Sequence, residues 1–251
     1  MAFGSEKTLY TGVQVDQAEF DAGLRAHMLR VYNYMVCGLL LTGILAVVVA
    51  QMSVVTNDAG QIVGLTGLGQ TLFGSPLKWV VMLAPLGMVF FLSARLHAMK
   101  QSTAQAVFWI YAAMMGISMA TIFMAFTGAS IARVFFITAG TFAGMSLWAY
   151  TTKKDLSGWG SFLMMGVIGI VIAMIVNMFI GSSALQSAIS VIGVLVFVGL
   201  TAYDTQNIKN EYAEHFDEDT KGKLAISGAL RLYLDFINLF IMLLHLFGNR
   251  D

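Results

Sequence analysis

Charge is scarce in this 251-residue chain: 11% of its residues are charged and 58% are hydrophobic, with a mean hydropathy of +0.77. A soluble domain carries about 25% charged residues, so the composition predicts a polytopic membrane protein. Formal net charge is zero, which offers no basis for a nucleic-acid-binding surface. Cys37 is the only cysteine, so neither an intrachain disulfide nor a cysteine-based metal site can form. Two prolines stand against 25 glycines and 17 methionines, a balance that suits helices able to pack closely and adjust. An early apolar core is missing as well. Residues 1–30 hold Glu6, Asp16, Glu19 and Asp21, and the first apolar run begins near Val31, which speaks against a cleavable signal peptide. Either a short surface helix over Asp16 to Arg30 or a loosely ordered polar tail fits that stretch.

Constellations for catalysis are missing too. His27, His97, His215 and His245 show no metal-ligand spacing. His245 lies about 15 Å along a helix from Asp235, toward the opposite face. Gly116-Ile-Ser118 lacks the nucleophile-elbow pattern, and no apolar run before the last holds an interior histidine to serve a serine nucleophile. No lysine stands in the last span for a retinal-type Schiff base. The stretch from Gly64 to Thr71 echoes a phosphate-binding loop, but Gln70 stands where that loop needs lysine. The chain is therefore expected not to be an enzyme, and to hold no bound cofactor.

What is present is apolar length. A spanning helix needs about 20 mostly apolar residues, and seven segments qualify: 32–51, 78–95, 106–126, 131–150, 159–180, 185–204 and 229–247. The expected architecture is all-α, with a tail over residues 1–30 and a seven-helix transmembrane domain over 31–251. Thr127 to Ser130 and Gly181 to Ala184 are links short enough to make their flanking spans antiparallel neighbours. Small residues recur at packing spacing, as Ala112, Gly116 and Ala120 and again as Gly140 and Gly144. Lys7, Arg25, Arg30, Arg95, Lys100, Lys153, Lys154, Lys209, Lys221, Lys223 and Arg231 fall in alternate connections, while the others hold almost nothing basic except Lys78 and Arg133 at helix edges. The positive-inside rule then predicts a cytoplasmic N-terminus. Seven full spans put the C-terminus outside, whereas a re-entrant last segment would keep it inside.

Two acids stand out against this apolar background. Asp204 ends the sixth span, and Asp235 lies inside the seventh, in LRLYLDFINLFIMLLHLF. Intramembrane acids are expensive and usually face a bundle interior or a water-filled path. The two spans run in opposite directions from a shared loop, so the acids reach similar depth. Adjacent carboxylates in low dielectric cannot both ionise cheaply, and a pair sharing one proton titrates as a unit. That is the physics of a pH-sensitive gate. The bland alternative pairs Asp235 with Arg231 four residues earlier, with Asp204 bonding a helix end or Lys209. Asn238 shares the Asp235 face, and Arg95, ending the second span, is a further candidate partner or a plain positive-inside anchor.

The stretches SLWAYTTKKDLSGWGSF (146–162), GLTAYDTQNIKNEY (199–212) and LRLYLDFINLFIMLLHLFG (230–248) resemble signatures of the Bax inhibitor-1 (transmembrane Bax-inhibitor-motif) family, in its bacterial inner-membrane branch. The resemblance implies six helices around a central seventh and a hydrogen-bonded pair made by Asp204 and Asp235. It also implies a pH-sensitive calcium leak, with Arg95 matching an arginine that engages the first acid. Two aspartates cannot supply the six to eight oxygens of a tight calcium site, so they read as a gate or transient metal station. Some relatives suggest a different role, as a modulator or adaptor of a membrane-bound AAA protease with the polar N-terminal tail as its handle.

Overall fold

The computed structural model describes residues 5–57, 62–213 and 215–249, with side chains from residue 19 onward except His97. Among the described residues seven helices are long and apolar enough to cross a membrane, one at each of the expected segments. They are α1 (Ser5–Ser53), α3 (Leu77–Arg95), α4 (Gln101–Ala125), α5 (Gly128–Thr151), α6 (Gly160–Ile180), α7 (Ser183–Glu211) and α8 (Glu218–Phe247). A short turn, α2 (Gly67–Gly69), lies between α1 and α3.

The N-terminal stretch is neither a separate surface helix nor a coil in its backbone, because α1 runs unbroken from Ser5 into the first span. Side chains before residue 19, including Asp16 and most of the expected tail, lie outside the described residues. Leu24, His27 and Met28 are already buried, so the packed unit reaches back before Val31.

The connection after α1 folds into a hairpin, β1 (Val54–Thr56) against β2 (Ile62–Leu65), with Val54 opposite Leu65. The glycine-rich run that follows has a structural task. Thr66 donates from its backbone to Ser53 O at 3.0 Å and from its hydroxyl to Met52 O at 2.7 Å, satisfying carbonyls at the end of α1. Gly69 lies so close to Ser53 that a Cβ would fall 2.0 Å from its carbonyl oxygen. Glycine is needed here for close approach to a helix end.

The two short links behave as their residues dictate. Thr127 caps α5 by accepting from Ser130 N at 3.2 Å, and Ser182 caps α7 by accepting from Leu185 N at 3.3 Å. Gly116 lets α4 press on α1, since a Cβ there would meet Thr42 O at 2.7 Å. Ala112 and Ala120 are buried on the same face. Gly140 and Gly144 differ from expectation: a Cβ at either would meet nothing within 4 Å. The reason is helical phase, because α5 buries Val134, Thr138, Phe142, Ser146 and Ala149 and turns those glycines away.

The last helix is the hub. Of its apolar window 61% is buried, against 39% for α7 and 11% each for the spans of α3 and α6. Its principal contacts are with α7, α1, α5 and α4, while α3 packs chiefly on α4 and α6 on α7. Four helices therefore line α8 and two stand outside them. Thirty residues give α8 about 45 Å of length, more than the roughly 30 Å hydrocarbon core. It is one continuous helix, so a re-entrant hairpin does not occur. Both ends are tied down. Asp219 accepts from Gln101 N at 3.0 Å near the start, and Asn249 bonds Ser130 Oγ and Thr127 N just past the end.

Candidate functional site

One turn of α7 spreads contacts in four directions. Tyr203 lies over Gly160 of α6, where a Cβ would be 2.4 Å from its hydroxyl. Asp204 faces α8. Thr205 shares a hydrogen bond with Ser146 of α5 at 2.9 Å, and Ser146 shares another with Tyr32 of α1 at 2.6 Å. Gln206 accepts from Leu156 N at 2.7 Å and donates to Lys154 O at 2.8 Å, holding the loop between α5 and α6. Successive residues 100° apart on a helix can serve four neighbours in this way, so the YDTQ stretch fixes the orientation at which Asp204 meets α8.

Asp235 comes from the opposite helix at the same level. It is 4% exposed, and Asp204's side chain is 13% exposed. The two carboxyl groups are in hydrogen-bonding contact. Ionised carboxylates only accept, so that contact becomes a hydrogen bond only when one of them carries a proton. Without that proton Asp235 Oδ2 has no donor within reach, a costly state for a buried oxygen. Beyond Asp235, α8 buries Leu239, Phe240, Met242, Leu243 and Leu244. The arrangement is therefore closed on that side by apolar side chains.

The positive partner is Arg231. Its guanidinium stands 3.9 Å from Asp204 Oδ1 and donates a short hydrogen bond to Glu211. Glu211 lies seven residues after Asp204, two turns along the same face of α7, so one arginine spans both acids. Arg231 thus pairs across helices rather than with Asp235 on its own helix. Lys209 donates instead to Tyr150 O at 3.0 Å, and Asn238 donates to Leu234 O at 2.9 Å. Arg95 is exposed at the end of α3, and no described ion pair brings it to the acids. Glu211 was absent from the sequence-level candidates, although its seven-residue spacing from Asp204 was a usable signal.

Other polar groups gather nearby. Tyr233, two residues before Asp235, shares a 2.6 Å hydrogen bond with Thr42, which donates to Ala112 O at 2.8 Å. This chain ties α8 to α1 and α4 in the core. His27 is 5% exposed, lies within electrostatic range of Arg30 and Glu211, and packs at 5.4 Å against the tilted ring of Tyr212. Among the described residues no cluster of three or more His, Cys, Asp or Glu side chains offers a metal site.

The chain is similar to known proteins over nearly its whole length. The family model for Bax1-I, described as inhibitor of apoptosis-promoting Bax1, matches residues 24–251. The inner membrane protein YbhL of Escherichia coli (strain K12) is 44% identical over 232 residues, covering 91% of this chain and 94% of its own. The uncharacterized protein RP147 of Rickettsia prowazekii is 44% identical over 231 residues, covering 92% of each chain. An uncharacterized protein of Caulobacter vibrioides is 43% identical over 248 residues, with 95% and 96% covered. With seven apolar helices and a match across nearly its whole length, the chain belongs to the Bax inhibitor-1-like family of multi-pass membrane proteins.

Proposed function

We propose that this protein is a passive, pH-sensitive leak for calcium or a similar cation, gated where Asp204 meets Asp235. The observation that carries the proposal is a carboxyl–carboxyl contact buried between α7 and the central helix. A proton shared by the pair bonds α7 to α8. Removing it sets two negative charges against each other in low dielectric, and repulsion favours separation of the helices or entry of a cation. Arg231 offsets part of that charge but is shared with Glu211. No coupled energy source is required, so the ion moves down its own gradient. The name of the Escherichia coli relative supports a bacterial inner membrane as the location, with the N-terminus on the cytoplasmic side by the positive-inside rule.

The test is purified protein in liposomes loaded with a calcium dye. A leak that changes between about pH 5 and 8, the window for a coupled acid pair, is the expected result. Absence of flux throughout that window sinks the proposal. The competing adaptor role is separated in cells: if removing residues 1–25 alters turnover by a membrane-bound AAA protease, and no flux is found, the protein is a modulator instead.

A further inference from the structure

An open seam runs between α1 and α5. Each helix packs principally on α8 and on one other long neighbour, α4 for α1 and α7 for α5, rather than on the other. Two cavities lie along the seam, of about 440 and 640 Å³, and they share Met35, Phe142 and Ala143. Volumes of this size fall in the range of small-molecule sites. Helical spacing explains the lining. Arg25, Met28, Tyr32, Met35 and Leu39 form one stripe of α1, and Phe135, Ala139, Phe142, Ser146 and Tyr150 form one stripe of α5. Leu29 and Leu147, 53% and 65% exposed, make apolar lips.

The seam has a polar end and an apolar body. From Arg25 to Met35 is about 15 Å along α1, roughly one leaflet of a 30 Å hydrocarbon core. Arg25 and the two tyrosines line the first cavity at that end, where aromatic rings and a basic side chain meet headgroups. Among the described residues Arg25 has no ion pair. Arg25 is exposed and lines the mouth of an otherwise apolar groove, which leaves one positive charge for an anionic partner. The Tyr32–Ser146 hydrogen bond straps the seam, and Phe236, the residue after Asp235, forms part of its floor.

We propose that this seam binds one anionic phospholipid from the leaflet on the Arg25 side, with its phosphate on Arg25 and an acyl chain along α1 and α5. The site does not depend on the leak reading, and its occupant lies one residue from each acid, through Phe236 and through the strap to Thr205. The experiment is native mass spectrometry of the full chain in mild detergent, with equal phosphatidylglycerol and phosphatidylethanolamine added. Wild type retains one phosphatidylglycerol, preferred roughly fivefold, as expected for one basic side chain near a headgroup. Arg25→Gln removes the preference while a lipid is still retained. Ala143→Trp, at an exposed position shared by both cavities, lowers retention of either lipid at least about tenfold, equivalent to a lost contact of ordinary size. Gly144→Trp, one residue on and facing open space, leaves retention intact. The site is overturned by equal retention of both lipids in wild type, by retention unchanged in Ala143→Trp, or by a lipid-free dimer that covers the seam.

Discussion

Arg231 sits one helical turn before Asp235, yet its guanidinium reaches across to Asp204 and Glu211 on α7. A long side chain on a helix that emerges from the membrane extends its charge toward the aqueous end, and α7 offers two acids there. Removing it leaves Asp204 and Glu211, two turns apart on one face of α7, without the cation they share. Arg231→Met is expected to destabilise the protein by about 1–2 kcal/mol, between the ranges for surface and buried pairs. Asp204→Asn should recover part of that loss, because the charge left unpaired is then absent. Thermal unfolding in detergent of the two single variants and the double variant gives the coupling; strict additivity would show that the pair contributes nothing. A second residue-scale expectation concerns Asp155, which is exposed in the loop after α5 and accepts from Ser157 N at 2.9 Å. That bond holds its carboxyl below the usual aspartate value. The folded state therefore binds the proton less readily than the unfolded one, and the contribution is present above the ordinary aspartate range. It is lost as pH falls through the lowered folded value. Amide exchange at Ser157 should quicken in acid relative to neighbouring amides, and Asp155→Asn should remove that difference.

At the scale of elements, the seven spans were legible because apolar length alone marks them, and the two short links were legible through Thr127, Ser182 and Gly181. Partner choice was less so. Three small residues in α4 and two in α5 look alike in sequence, but Gly116 faces Thr42 of α1 and Gly140 faces open space. Which face turns inward depends on all the helices together, not on the spacing of small residues. The same holds for Arg231 and Lys209, whose local partners were plausible and whose actual partners lie on neighbouring helices, whereas Asn238 turns back to Leu234 O of its own helix. The continuity of α1 was hidden because charged residues before Val31 break the apolar run without breaking the helix. Gly116→Val should cost about 1–3 kcal/mol through overpacking against α1, and Gly140→Val should change stability little. Melting temperatures of the two variants decide this; equal loss in both would mean that α4 and α1 are not in close approach.

For the whole molecule, α8 acts as a hub fixed at both ends and surrounded by α1, α4, α5 and α7. Central placement was implied by the resemblance of LYLDFINLF to its family, and composition gives no reason for the most buried span to be the one containing an acid. The packing supplies that reason: Asp235 faces Asp204 within the bundle, away from the lipid. The most direct measurement is calcium flux into dye-loaded liposomes as a function of pH, for wild type and Asp235→Asn side by side. The account predicts a steep change for wild type between about pH 5 and 8 and a profile in Asp235→Asn that no longer follows pH. Identical profiles for the two proteins would contradict it.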